Sequence, residues 1–276
     1  MSRFTSNPGK LPMGDFFGWK HHPFADTYGQ RHLFLPDLDN KHKDTIKRLL
    51  HTGKSLALCG PSGSGKTTLV HALIHELDKN AYRSILIPYA GHSRNGITRI
   101  LAESLGVDTK GRGVPLIART QQHIETMIGG ANPRHPVIIV DDAQRLENDS
   151  LWDLCSLLFQ TAKPTAAASL LLVGDETLAR RLDLHILAPI RSRLTGIIKT
   201  QFMNEHEIRL FIEYRLKNAD APTDLFDKDA IEIIAAFTRG NRRTLMNIAT
   251  MALEEAYFLE EKTISAGTFY NSDWFK

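Results

Sequence analysis

The sequence predicts an α/β fold: a parallel sheet of about five strands covered by helices on both faces, with a smaller helical domain after it in the chain. Three observations lead there. Between Ser55 and about residue 202, short unbroken apolar runs alternate with helical patterns. The first run, "SLALC", breaks into a glycine-rich turn that leads straight into a helix. After Asn204 only helical periodicity is left. Strands covered on both faces have no polar side to show, so unbroken apolar runs mark a parallel sheet.

The elements follow in order. Residues 1–38 are rich in Pro, Gly, His and aromatic residues and lack helical periodicity, so they read as an extended N-terminal arm packed on the domain that follows. The core is expected over 39–202. It opens with a helix over 41–51, then "SLALC", the glycine turn and a helix to about Leu77. "SILIPY" is a second strand, followed by a helix over 96–105. The polar turn "GVDTKGRGVP" leads to a helix over 116–128. "PVIIVDD", a helix over 149–161, "SLLLVGD" and "GIIKTQF" supply the third to fifth strands. Residues 203–276 then form a helical domain and tail, with helices over 205–218, 227–238 and 241–258.

Composition narrows the function classes. The net charge is +3 with histidines neutral, which permits nucleic-acid binding without arguing for it. No apolar run approaches the length of a membrane span, and "MSRFTSNPGKLPMGDFFGWK" has no signal-peptide apolar segment. The expectation is a cytoplasmic protein that makes no use of a membrane. Cys59 and Cys155 make neither a disulfide framework nor a metal site, and Cys59 reads as a small buried residue.

The chemistry sits in "LALCGPSGSGKTTLVHAL". Gly60, Pro61, Ser62, Gly63, Ser64, Gly65, Lys66 and Thr67 fit G-x-x-x-x-G-K-[ST], and Thr68 continues into the helix. Glycines let backbone N–H groups converge on phosphates, and the helix N-terminus adds partial positive charge. Lys66 is placed to reach the β- and γ-phosphates of ATP, and the Thr67 hydroxyl to ligate Mg²⁺. "PVIIVDDAQRL" supplies the second half: its apolar residues deliver Asp141 to the carboxyl edge of the sheet, where it would hold Mg²⁺. Asp142 follows. It is either the carboxylate that orients the attacking water or a helix-capping, solvated acid.

With both halves in place, the chain resembles the AAA+ ATPases, and more closely their ExeA-type branch, which includes secretion-associated ATPases and transposition regulators such as TnsC and TniB. "FFGWKHHPFADTYG" looks like the N-terminal "FGL…PF" signature of that branch. "DDAQRL" resembles its "DEAQ", with Asp142 in place of Glu and one methylene shorter. "LLLVGDETLARRL" resembles its fourth strand and following helix, and "FTRGNRRTLMNIATMAL" its lid, with Arg242 replacing a proline. The resemblance implies roles for further residues. Asp175 stands at the polar sensor position, where a neutral side chain is usual. Arg193, or in second place Arg191, matches an arginine presented to a neighbouring subunit's nucleotide; the alternative is a pair of surface charges. Arg243 matches the lid arginine that touches the γ-phosphate, or belongs to an ordinary basic helix face with Arg239 and Arg242. Pro23 and Phe24 match the segment that approaches the adenine, or an apolar arm.

The turn "VDTKGRGVP" resembles the segment with which TnsC-like rings track a DNA backbone, so Lys110 and Arg112 are candidates for duplex phosphate contacts, with Arg94 and Arg99 upstream. The alternative is a solvated basic loop. The resemblance implies a homo-oligomer, a ring or filament, that loads on duplex DNA without sequence preference and recruits a transposase. Two other readings stand beside it: a secretion-associated ATPase, and a nucleotide-dependent switch that binds a protein partner and hydrolyses little.

Overall fold

The computed structural model describes residues 11–26, 33–88, 94–110, 113–163, 165–270 and 272, without the side chains of Arg94 and Asn95. The chain divides into two units, one of residues Asp37–Gln201 and one that joins Met1–Pro36 to Phe202–Lys276. The first helix, α1 (Met13–Phe17), belongs to the second of these.

The core unit opens with α2 (Asp37–His51), which starts four residues before the expected helix because Asp37 and Asp39 favour the first turn, as Arg48 and His51 favour the last. Then come β1 (Ser55–Cys59), buried throughout, and α3 (Lys66–Glu76). β2 (Tyr82–Pro88) begins two residues earlier than its apolar run, since Tyr82 and Arg83 pair with His135 and Pro136. α4 (Arg94–Leu105), α5 (Leu116–Gly129) and β3 (His135–Asp141) follow. α6 (Asn148–Ser156) is shorter than expected. Beyond it the chain folds back on itself: Phe159 pairs antiparallel with Ala166, and Ala167 N–H donates to the Leu158 carbonyl at 2.8 Å. β4 (Ser169–Gly174), α7 (Glu176–Leu182), α8 (Ala188–Arg191) and β5 (Leu194–Lys199) complete the unit.

The five strands form one sheet in the order β2-β3-β4-β1-β5, every pair parallel. Parallel strands end at a common edge, so the residues that follow Cys59, Val140, Gly174 and Lys199 emerge together. The core is made of the buried side chains of the strands and the inner faces of the helices, among them Ile87, Ile97, Leu101, Ile138, Leu172 and Leu178.

The helical unit consists of α1 with α9 (Glu205–Asn218), α10 (Lys228–Thr238), α11 (Arg242–Leu259) and α12 (Ala266–Tyr270). The starts of α9, α10 and α11 were legible because each has a capping residue. Asn204 makes a full capping box with Glu207, Asp227 caps α10, and Asn241 caps α11. The sequence placed the N-terminal arm on the core; its described residues up to Pro36 instead belong with these helices. Phe17 and Phe24 are buried in their apolar cluster, Phe24 meets Phe226 edge-on at 5.7 Å, and the Arg215 guanidinium donates to the carbonyls of Pro23 at 2.6 Å and Ala25 at 2.8 Å. The arm is thus a missing piece of a small core, supplied from the other end of the chain. No helix among the described residues is long and apolar enough to cross a membrane.

Candidate nucleotide-binding site

The loop after β1 is shaped by two glycines at positive φ, Gly63 (83°) and Gly65 (94°), a region that side-chain-bearing residues avoid. Gly65 caps α3, whose first backbone bond runs from Leu69 N–H to the Gly65 carbonyl at 2.9 Å. Gly60 is required for a different reason. A Cβ there would collide with the Thr200 hydroxyl and lie 2.6 Å from the Thr200 carbonyl oxygen. Ser62 is exposed at the tip, Pro61 and Thr68 are half-buried, and Ser64 is fully buried.

Lys66 folds back along the loop, its ammonium donating to the carbonyls of Gly60 at 2.8 Å and Pro61 at 2.9 Å. Burial holds its pKa below the usual lysine range, opposed by the carboxylates of Asp141, Asp175 and Asp142. The Thr67 hydroxyl donates to Asp141 Oδ2 at 2.7 Å, so the two expected metal-side groups, far apart in sequence, meet at the sheet edge. Among the described residues no cluster of three or more His, Cys, Asp or Glu could hold a metal alone. A hydroxyl beside one carboxylate fits Mg²⁺, which takes few protein oxygens and fills its remaining positions with phosphates and water.

Asp142 is exposed and sits in the left-handed region at φ 51°, so its backbone turns sharply away from β3. Its N–H donates to Asp141 Oδ1 at 2.9 Å, and its Oδ1 accepts from Gln144 Nε2 at 3.1 Å. Gln144 Oε1 accepts in turn from the Asp175 N–H at 3.3 Å. The Asp175 carboxylate is engaged as the N-cap of α7, with Oδ1 accepting from Thr177 N–H at 2.7 Å and Leu178 N–H at 3.3 Å. That gives an acid at this position a local reason that needs no nucleotide. Arg181 holds the segment from behind, donating to the carbonyls of Gln144 and Leu146 and to Asn148 Oδ1. Cys59, next to the loop, has its thiol pushed up to about 11 by burial, against the opposing pull of Lys66, and is therefore neutral near pH 7.

Arg193 is exposed and donates to the Pro189 carbonyl at 2.7 Å; Arg191 is half-buried, donates to the Leu194 carbonyl at 3.3 Å and faces Asp183 at 4.0 Å. Arg193 is the more available of the two to a second molecule. Arg243 is exposed on the first turn of α11, in the helical unit, where Arg242 beside it is buried. Lys110 is exposed on a turn closed by its N–H to Asp108 Oδ1 at 2.9 Å, and Arg99 is exposed on α4. Arg112 lies outside the described residues. Sequence reasoning missed Gln144, Arg181 and Thr200. Gln144 stood in view within "DDAQRL"; Thr200 follows a strand and carries no motif.

The five-stranded parallel sheet with its covering helices matches an AAA+ P-loop NTPase core. Residues 48–182, from within α2 to the end of α7, match the family model described as an AAA domain. A curated relative, the replication factor C small subunit of Sulfurisphaera tokodaii, is 25% identical over 230 residues, an alignment spanning 82% of this chain and 60% of that protein. Among solved structures, Cdc6p from Pyrobaculum aerophilum superposes with a TM-score of 0.71 at 19% identity, covering 90% of this chain and 69% of that one. The Aeropyrum pernix ORC1 protein, solved in complex with DNA, gives 0.65 at 16% identity, covering 90% and 67%. At these identities the likeness is one of fold. The first of these carries a replication name, and none of the three carries the narrower ExeA- and TnsC-like assignment.

Proposed function

We propose that the protein binds ATP with Mg²⁺ at the Gly60–Thr67 loop, hydrolyses it, and uses the ATP-bound state to associate with duplex DNA as a homo-oligomer. The observation that carries the ATP reading is the 2.7 Å contact between Thr67 and Asp141, the chain neighbours of Lys66 and Asp142. Mg²⁺ supplies charge neutralisation and orientation of the phosphates. Lys66 exchanges the carbonyls of Gly60 and Pro61 for phosphate oxygens, Thr67 and Asp141 hold the metal side, and Asp142 orients the attacking water. Arg193 acts on a neighbouring subunit's nucleotide, and Arg243 is the counterpart of the lid arginine.

The DNA reading is supported by the replication name of the curated relative, by the ORC1 protein having been solved in complex with DNA, and by the exposed Lys110 and Arg99. Recruitment of a transposase is the finer reading. It rests on the motif resemblance of "DDAQRL" and the "TKGRG" turn. A second reading, a protein-binding switch with little turnover, is favoured by Asp142, whose short carboxylate is held by Gln144. Fluorescence anisotropy with a labelled duplex decides between them. DNA association requires tighter binding with a non-hydrolysable ATP analogue than with ADP, insensitive to sequence and falling steeply with salt. No binding to DNA with the analogue at low salt leaves the switch.

A further inference from the structure

Thr200 packs against the phosphate loop. Its N–H donates to the Cys59 carbonyl at 2.8 Å, continuing the β1–β5 ladder by one residue past the strand. Its hydroxyl lies 2.7 Å from the Ser64 hydroxyl and 3.4 Å from the Cys59 carbonyl oxygen. Ser64 is 0% exposed and Thr200 is 5% exposed. The arrangement that satisfies every group has Ser64 donating to Thr200, and Thr200 donating to the Cys59 carbonyl. Gly60, at the other end of the loop, is packed so closely on Thr200 that no side chain fits between them. One threonine therefore touches the last strand residue before the loop, the first loop glycine and the residue before Gly65. We propose that Thr200 is a positioning residue for nucleotide binding: through the buried hydroxyl pair with Ser64 it fixes the curvature of the loop, and with it the aim of the loop's backbone amides at the phosphates.

The proposal rests on the reading of this loop as the nucleotide site, and it has a distinct signature. A backstop sets the cradle that the di- and triphosphate share, so its loss weakens ADP and ATP by the same factor. A residue that acted only through overall stability would lower the melting temperature and leave the affinity of the folded protein unchanged. The test is titration of the full chain with fluorescent ADP and ATP analogues, for wild type, Thr200→Val, Thr200→Ser, Ser64→Ala and the Ser64→Ala/Thr200→Val double variant. Removing one hydroxyl of a buried pair leaves its partner unsatisfied, which corresponds to roughly a three- to tenfold loss of affinity for each nucleotide. The ratio of ATP to ADP affinity stays at the wild-type value, Thr200→Ser stays within about twofold of wild type, and the double variant is no weaker than the weaker single one, since both act on one contact. Wild-type affinities in Thr200→Val overturn the proposal, whatever its melting temperature, as does a loss for ATP alone. Should Thr200→Val fail to fold, wild-type affinities in Ser64→Ala overturn it equally. A wild type that binds neither nucleotide overturns the reading of the loop itself, and this inference with it.

Discussion

Two side chains of the expected chemistry, and a buried thiol beside them, each make a separate prediction. Lys66→Ala removes the loop's one full positive charge and should weaken ATP binding by at least about tenfold, measured by equilibrium titration. Retained wild-type affinity would move the phosphate site elsewhere. Asp142→Asn keeps the shape and loses the base, so ATP binding should survive while steady-state phosphate release falls by about a hundredfold. Unchanged turnover would leave Asp142 as a turn residue held by Gln144. The Cys59 thiol, pushed up to about 11 and buried, should resist a maleimide at pH 7 in the native protein and react on denaturation. Rapid native labelling would show that the loop opens far more than its hydrogen bonds suggest. At this scale the sequence was most informative where a spacing rule existed. The G-x-x-x-x-G-K-T run and the acid ending an apolar strand located Lys66, Thr67 and Asp141, and the fold brings Thr67 and Asp141 into contact. Thr200 was invisible because its role comes from a neighbour 136 positions away. Asp175 was read by position, whereas its carboxylate is occupied by the first turn of α7.

Elements explain why the loop has the shape it does. β1 lies between β4 and β5, so the loop leaves the sheet flanked by the ends of both. Gly60→Ala would set a methyl against the Thr200 hydroxyl and carbonyl, groups on the chain leaving β5, and either the loop or that chain must shift. Nucleotide affinity should fall and the apo melting temperature should drop by several degrees, both readable in one thermal-shift series with and without ADP. A melting temperature and ADP response like wild type would mean that the loop tolerates an offset there. Strand existence was legible from unbroken apolar runs, because a buried parallel strand has nothing else to be. Strand and helix ends were less so. β2 gained Tyr82 and Arg83 from pairing with His135 and Pro136, and α6 stopped at Ser156 because the following chain bonds back on itself. Both outcomes depend on partners distant in sequence, which local periodicity does not contain.

At the scale of the whole molecule, the ATP state and the assembly state should be linked. If Arg193 acts on a neighbour's nucleotide, Arg193→Ala subunits should bind ATP and turn over poorly, and mixing them with Lys66→Ala subunits should restore part of the activity once co-assembly is confirmed. No rescue at any ratio would count against action in trans. Assembly on a duplex would align copies of Lys110 and Arg112, so the double alanine variant should weaken binding to all sequences alike and reduce the slope of log affinity against log salt by about one for each phosphate no longer neutralised. The division of the chain has a further consequence, for biosynthesis. The helical unit takes Phe17 and Phe24, with Met13, Phe16, Trp19 and Phe34 packed beside them, from the N-terminal segment, and the rest of its core from the residues after Gln201. Its first-made strip leaves the ribosome, then waits while all of Asp37–Gln201 is translated, on the order of ten seconds or more at cellular synthesis rates. During that interval the apolar face of Phe17, Trp19 and Phe24 has no helices to cover it, whereas the sheet can close by itself. A circularly permuted gene that joins the two ends and opens the chain at Pro36/Asp37 would synthesise each unit without interruption, and it should raise the yield of folded protein in cells without changing the nucleotide site.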